Sequence, residues 1–174
     1  MHLGNRSRSA GFSLIEVMVA LVVCAIGLLG LAKMESLALS STSIASSRSL
    51  AAIEASSLAA SMHANPGYWA AGLAPGVTTV SAGTLAGFTG TACTIAGTTS
   101  CGAQPMAFYD LSQWGTALST LLPGYYATIT CTTVGFPVTC TIQIQWTENA
   151  VAANSSQTNI SNLTAPTYTL FVQP

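Results

Sequence analysis

The sequence predicts an α+β fold in which one long N-terminal helix packs against a small antiparallel β-sheet. Two observations lead to this prediction. An apolar run from Phe12 to Ala32 is followed by a more polar stretch rich in Ala, Leu and Ser, and no Gly or Pro occurs between Gly30 and Pro66, so the helix can continue across both. From Tyr125 onward, apolar and polar residues alternate with a period of two, which is typical of half-buried strands.

The first element, residues 12–32, is long enough to cross a bilayer. Its 21 residues rise about 1.5 Å each and span roughly the 30 Å of a hydrocarbon core. The polar residues before it include Arg6 and Arg8, whereas only Lys33 closely follows it, which favours a cytoplasmic N-terminus and an exported C-terminal part. No small-residue cleavage site follows the run, so it does not match an ordinary secretory signal.

Glu16 places a carboxylate about one helical turn inside this apolar run. An ionisable side chain in a membrane helix costs roughly 2.5 to 3.5 kcal/mol on insertion scales and marks a functional site by default. It therefore needs a partner. If Phe12 became the N-terminus, its amine would lie four residues away on the same helix face.

The stretch from Gly11 to Glu16 resembles the signature of type IV prepilins, in which a short basic leader ends in Gly and is followed by Phe and then by Glu at the fifth mature position. Gly11, Phe12 and Glu16 match it residue for residue. The resemblance implies that a prepilin peptidase cuts between Gly11 and Phe12 and methylates the new amine of Phe12. It also implies that Glu16 meets the Phe amine of a neighbouring subunit during recruitment to the filament.

The long helix is expected from about Ser13 to His63, with Asn65-Pro66-Gly67 ending it. Its second half has two apolar faces at helical spacing. One face would pack on the chain's own globular domain, and the other could contact adjacent subunits; a single broad core face is the alternative. The first face comprises Leu37, Ile44, Leu58 and Met62, and the second comprises Leu39, Leu50 and Ile53.

Residues 70–104 are dominated by Ala, Gly, Ser and Thr and are predicted to form a loop-rich connection. Short strands are expected near Val77–Val80 and Cys93–Ile95. A second helix is predicted to begin at Asp110, which has the character of an N-cap with Gln113 three residues later. Its stop is expected at Pro123-Gly124, and its buried face at Trp114, Leu118, Leu121 and Leu122.

Residues 125–131 and 138–146 each alternate apolar and polar side chains, so the apolar ones of each segment can face one side of a sheet. Pairing them antiparallel about residues 134–137 aligns every apolar partner, and residues Thr167–Val172 can add a third strand. The predicted opposite pairs are Cys131 with Cys140, Ile129 with Ile142, Ala127 with Ile144 and Tyr125 with Trp146.

Four of the five cysteines lie in the exported part, where an oxidising compartment allows disulfides. We favour Cys93 with Cys101 and Cys131 with Cys140, although sequence alone leaves the other two pairings open. Long spacings and the lack of a nearby His argue against zinc, so no metal or cofactor is predicted. Cys24 lies in the apolar run and is expected to be a small apolar residue there.

Only 5% of the residues are charged, far below the roughly 25% of typical soluble domains. After Glu54 the only charged residues are Asp110 and Glu148, with no Lys or Arg, so nucleic acid is not expected as a partner. No catalytic residues are predicted, because no Ser-His-acid set or carboxylate pair can be assembled, and Asp110 is better explained as a cap. The sequence therefore favours a structural subunit over an enzyme.

Several shorter segments together resemble PilV-type minor pilins. That resemblance implies a low-abundance subunit that joins other minor pilins, primes type IV pilus assembly and lies at or near the pilus tip. The segments are Gly11–Leu31 with Ile26–Leu31, Met62–Pro66, Leu111–Trp114, Leu121–Gly124 and Gln145–Glu148.

The resemblance also implies four regions and a set of partners. The regions are a cleaved leader (1–11), a transmembrane and assembly helix (12–32), the periplasmic half of that helix (33–64) and a C-terminal globular domain (65–174). The expected partners are the prepilin peptidase, other minor pilins, the major pilin, the assembly platform and the inner membrane. The protein would start as a single-pass inner-membrane protein and end in the periplasm or in the pilus at the cell surface.

Two alternative functions remain open from the sequence. A minor pseudopilin of a type II secretion system shares the leader and Glu16. A binding module displayed at the pilus tip could use the uncharged Thr and Gln residues that alternate with the apolar ones in the predicted sheet.

Overall fold

A computed structural model describes residues 11–90, 93, 101–132, 135–148 and 165–174 of the 174-residue chain. Within these residues it has two helices and five strands. In chain order they are α1 (Leu14–Ala64), β1 (Val77–Ser81), β2 (Thr84–Ala86), α2 (Ala103–Leu121), β3 (Tyr126–Cys131), β4 (Cys140–Gln145) and β5 (Thr167–Val172).

α1 is 51 residues long, or about 75 Å at 1.5 Å per residue. Both of its ends lie within one residue of the predicted ends. The amide of Asn65 donates a hydrogen bond to the carbonyl of Met62 at the C-terminus. Pro66 follows directly and has no amide hydrogen to continue the helical ladder.

One side of α1 packs against the rest of the chain. Its fully buried residues are spaced four, three and four apart, which places them on a single helix face, and Leu37 and Ile44 are half-buried on that face. This confirms the first predicted face. The fully buried residues are Ala51, Ala55, Leu58 and Met62.

The second predicted face is only partly correct. Leu39 and Ile53 are 66% and 60% exposed, so they point away from the chain's own core. Leu50, in contrast, is half-buried and packs against that core. The prediction was wrong for Leu50 because this residue lies at the border of the buried side, next to Ala51.

The sheet has the strand order β2-β1-β3-β4-β5, and every neighbouring pair is antiparallel. The predicted register of β3 on β4 is confirmed for three pairs, which are Cys131 with Cys140, Ile129 with Ile142 and Ala127 with Ile144. The fourth pair, Tyr125 and Trp146, lies one residue beyond the ladder, and both side chains are buried. β5 pairs with β4, which confirms the predicted third strand.

The region predicted as a loop-rich connection contains more structure than expected. β1 agrees with the predicted strand and joins the sheet beside β3, whereas β2 was not predicted. Cys93 is not part of a strand, which contradicts that part of the predicted strand at 93–95, and residues 94 and 95 lie outside the described residues.

α2 begins with Gly102 as its N-cap, well before the predicted start. Asp110 is therefore a half-buried residue inside the helix, and the prediction that it forms the N-cap was wrong. Pro105 is the third helical residue, and a proline in the first turn costs no intrahelical hydrogen bond. This allows the helix to include residues that the sequence pattern assigned to a loop.

The buried face of α2 is mostly as predicted. Trp114, Leu118 and Leu122 are buried, but Leu121, the last helical residue, is 39% exposed. Its capping neighbour Leu122, which leaves the helical conformation, turns into the core in its place.

Both helices pack on one face of the sheet, with α1 over β4 and β5 and α2 over β1 and β2. Tyr125 ties α2 to the sheet because its hydroxyl donates to the carbonyl of Gly115 at 2.9 Å and accepts the amide of Gly83 at 2.7 Å. The result is a long helix packed on a small antiparallel sheet, the α+β arrangement of type IV pilin-like proteins that the sequence predicts.

Candidate functional site

The three residues of the predicted processing and recruitment site lie at the start of α1. Gly11 and Phe12 are exposed and precede the helix in non-helical chain. Ser13 is extended, and its carbonyl accepts the amides of Glu16 at 3.1 Å and Val17 at 3.3 Å. Glu16 thus lies in the first helical turn, where the helix dipole favours a negative charge.

Gly11 is not required for folding. A Cβ atom added there would meet no atom within 4 Å, and Gly11 is not among the residues with positive φ. A glycine is needed for folding where the backbone is left-handed or where another group approaches closely. Neither applies at Gly11, so any requirement for glycine here must come from a partner that recognises this segment.

The N-terminal part of α1 makes no packing contact that buries a side chain. Every residue from 11 to 36 is exposed, although the most apolar 18-residue window of the helix has a mean hydropathy of 2.7. Among the described residues, α1 is the one helix long and apolar enough to cross a membrane. An exposed apolar surface of this size indicates contact with lipid or with another protein.

The exposed apolar part of α1 also lies within the part of the chain that matches a known family model. Residues 6–32 match the family model of the prokaryotic N-terminal methylation motif. The match covers the leader end and the apolar part of α1, and it supports placing the chain among type IV pilin-like proteins and pseudopilins. It also implies processing by a prepilin peptidase. Searches of curated proteins and of solved structures found no match to the chain.

The second half of α1 is joined to the globular part by an ion pair that sequence reasoning missed. The Arg48 guanidinium donates through Nε to Glu148 Oε1 at 3.0 Å and through Nη2 to Oε2 at 3.1 Å. This two-point geometry fixes orientation as well as distance. Glu148 raises the pKa of Arg48 above its usual value, first by hydrogen bonding and then by its charge.

A signal for this pair was present in the sequence. Arg48 is the only Arg beyond the leader, and Glu148 is one of two acidic residues after Glu54. With so few charges, an ion pair between Arg48 and an acidic residue of the globular part could have been expected. That the partner is Glu148, just after β4, depends on how β4 lies against α1.

Two further hydrogen bonds tie α1 to α2. The Trp114 indole Nε1 donates to the carbonyl of Glu54 at 2.9 Å, and the Asn65 side-chain amide donates to the carbonyl of Ala103 at 2.6 Å. Burial raises the pKa of Glu54 and that of Asp110. These half-buried carboxyl groups therefore affect the stability of the domain.

The cysteines of the globular part form two disulfides. Cys131, the last residue of β3, is bonded to Cys140, the first residue of β4, which lies opposite it in the sheet. Cys93 is bonded to Cys101, just before α2. These are the two pairings that the sequence favoured. Cys24 is a free thiol on the exposed apolar part of α1.

The described residues offer no metal-ligand cluster. No group of three or more His, Cys, Asp or Glu side chains among them could hold a metal ion, and His63 is exposed in the last turn of α1. A groove lies on the outer face of the sheet, lined by Tyr126, Thr128, Gln143, Gln145 and Thr167.

Proposed function

We propose that this protein is a minor pilin that takes part in priming type IV pilus assembly and is incorporated at or near the pilus tip. The observation that supports this most strongly is the contrast within α1: residues 14–36 are exposed and mostly apolar, while one side of the helix beyond them packs on the chain's own domain. In such a subunit the exposed apolar part of α1 can lie in a membrane before assembly and among the helices of other subunits in the filament core afterwards. Its role is structural rather than catalytic.

In this proposal a prepilin peptidase cuts between Gly11 and Phe12 and methylates the amine of Phe12. The accessible, non-helical chain at these residues suits a peptidase substrate. Before assembly, residues 12–32 hold the protein in the inner membrane, with the N-terminus in the cytoplasm and residues 33–64 and 65–174 in the periplasm. The assembly platform then transfers it to the filament, where it contacts other minor pilins and the major pilin.

Glu16 is the proposed recruitment contact. Its carboxylate lies in an apolar, exposed part of α1, and an unpaired charge buried in such surroundings costs several kcal/mol. Pairing with the methylated amine of Phe12 in a neighbouring subunit would remove that cost only in the correct register. Glu16 would therefore select the position of the incoming subunit.

The PilV-type assignment is the finer part of the proposal. It draws on the short segments Met62–Pro66, Leu111–Trp114, Leu121–Gly124 and Gln145–Glu148, and on the tip position that the family resemblance implies. A minor pseudopilin of a type II secretion system is the second candidate, because the same N-terminal motif serves both systems. The Ser/Thr/Gly-rich insert before α2 and the two disulfides favour the pilus.

Mass spectrometry of sheared pili tests the main proposal. We expect the chain in the pilus fraction with N-methylated Phe12 as its first residue. Residues 1–11 still attached in mature filaments would overturn the processing step. Gene deletion separates the two candidates, since loss of surface pili and twitching supports the pilus and loss of exoprotein release supports the secretion system.

A further inference from the structure

The outer face of the sheet, opposite the two helices, is uncharged. Strands β1 to β5 contain no Asp, Glu, Lys or Arg, and their outward residues are mostly Thr and Gln. The strand register places these side chains in rows across the sheet. One row contains Tyr126, Gln145 and Thr167, the next contains Thr128, Gln143 and Thr169, and the third contains Thr130, Thr141 and Phe171.

The first two rows border a groove of about 100 Å³, lined by Tyr126, Thr128, Gln143, Gln145 and Thr167. The Thr167 hydroxyl donates to the carbonyl of Ala165 at 3.3 Å. Among the described residues, the other four side chains have no hydrogen-bond partner. Each side-chain amide offers two donors and an acceptor oxygen, and each hydroxyl offers a donor and an acceptor. The groove therefore presents a dense set of neutral donors and acceptors.

Two aromatic rings lie at opposite corners of this surface. Tyr126 is 46% exposed and Phe171 is 79% exposed. Four residues along a strand and two strand spacings across the sheet separate them, a diagonal of about 17 Å at ordinary strand dimensions. The face thus combines stacking surfaces with hydrogen-bonding groups between them.

We propose that this outer face binds an uncharged oligosaccharide chain. A sugar ring has an apolar face that can lie on an exposed aromatic ring, and its hydroxyl groups match side-chain amides and hydroxyls as both donors and acceptors. Arg and Lys are the side chains that most often bind phosphate, sulfate or carboxylate groups, and the five strands contain neither. The chemistry of the face therefore selects a neutral glycan over an anionic one.

The shape of the groove indicates how the glycan binds. At about 100 Å³ it is smaller than the roughly 300 to 1,000 Å³ of pockets that enclose drug-sized ligands. It can contact one side of a sugar ring but cannot surround it. We therefore expect weak binding at each site, with useful strength arising when several sugars of a polymer, or several subunits, are engaged together.

A glycan-binding measurement on the full-length chain in lipid nanodiscs tests the proposal, with sugar-based detergents excluded because they would compete. The probes are oligomers of glucose and of N-acetylglucosamine, with heparin and oligogalacturonate as anionic controls. We expect binding to one or more neutral oligomers and none to the anionic ones. Equal binding to the anionic controls, or no neutral binding at millimolar concentrations, would overturn the proposal.

Three variants connect any binding to this face. Replacing Gln143 with Ala should weaken affinity about three- to tenfold, because it removes one or two hydrogen bonds. Tyr126→Ala should weaken it by a similar or larger factor, whereas Tyr126→Phe keeps the ring and should retain most of the affinity. Gln113→Ala, an exposed amide on α2, is the matched control and should bind as the wild type does. Equal affinity of all variants would place the sugar elsewhere.

Binding and assembly can fail separately. The proposal relies on the proposed function only for display of this face outside the cell. Tyr126→Ala should still enter pili, because Tyr126 lies on β3 in the sheet, whereas the proposed recruitment contact, Glu16, lies in the exposed first turn of α1. Exclusion of Tyr126→Ala and Gln143→Ala from pili, with unchanged glycan affinity, would assign the outer face to subunit contact and overturn the glycan proposal.

Discussion

The two parts of α1 are continuous in backbone but differ completely in what surrounds them. From residue 14 to residue 36 every side chain is exposed. From Leu37 onward, half-buried and buried residues recur at helical spacing, and four of them are fully buried between residues 51 and 62. We call these the exposed part (14–36) and the anchored part (37–64).

Two different causes therefore stabilise one continuous helix. The anchored part gains from burial in a core that it shares with α2 and the sheet. The exposed part has no such core, and isolated helices are only marginally stable in water. Its stability must come from a bilayer, which forces backbone hydrogen bonds to be satisfied within the helix, or from other subunits. Substitutions should therefore act on folding in one part and on assembly in the other.

The largest effect on folding is expected from Leu58→Ala. Leu58 is 1% exposed on the buried side of the anchored part, so the substitution should lower the free energy of unfolding by about 2 to 5 kcal/mol through lost burial and a cavity. Thermal unfolding of the full chain, followed by near-ultraviolet circular dichroism, measures it. Ile53→Ala, an equally apolar but exposed site on the same helix, is the control and should change stability little. Equal losses at the two sites would contradict the assignment of the buried side.

Gly115→Ala should have the next largest effect. A Cβ atom at this position would come within 2.7 Å of Val80 Cγ1, because α2 lies directly on β1. Overpacking of this kind typically costs about 1 to 3 kcal/mol. The same measurement detects it, and Gly11→Ala is the control, since a Cβ there meets open space. A Gly115→Ala variant as stable as the wild type would mean that α2 can shift away from the sheet at little cost.

Sequence reasoning found the anchored part and the register of the sheet for a clear physical reason. Alternating apolar residues in β3 and β4 leave one register that puts Ile129, Ile142 and Ile144 on the same face, and a slip by one residue would expose all of them. The length of α1 followed equally directly from the absence of Gly and Pro between Gly30 and Pro66.

The remaining elements depend on contacts that local patterns do not contain. β2 is only three residues long and becomes a strand because β1 offers an edge. The start of α2 was missed because Asp110 and Gln113 imitate a cap, although Asp110 lies inside the helix. At the candidate site, the motif residues Gly11, Phe12 and Glu16 could be read from sequence, whereas the Arg48–Glu148 pair required the three-dimensional arrangement of β4 and α1.

A pH dependence is expected in the anchored part. Burial raises the pKa of Glu54 above its ordinary value of 4.5, so the folded state binds a proton more readily than the unfolded state. The stability linked to this group is complete below the ordinary pKa and is lost as pH rises through the raised value. Glu54→Gln removes the charge and should raise the melting temperature slightly at pH 7. This gain should vanish below about pH 4, and a gain that grows on acidification would contradict the direction.

Glu16→Gln is expected to have the smallest effect on folding and the clearest effect on assembly. Glu16 contacts no core residue, so the melting temperature of the globular domain should equal that of the wild type, and the neutral amide should enter the membrane at least as readily as a carboxylate. The amount of the chain in sheared pili should fall strongly, because the amine of a neighbouring Phe12 would lose its charged partner. Glu35→Gln, the same change at an exposed carboxylate beyond the apolar run, is the matched control and should leave incorporation unchanged. If both variants entered pili normally, the exposed part would be recruited by its apolar surface alone, and Glu16 would have no role in selecting the register.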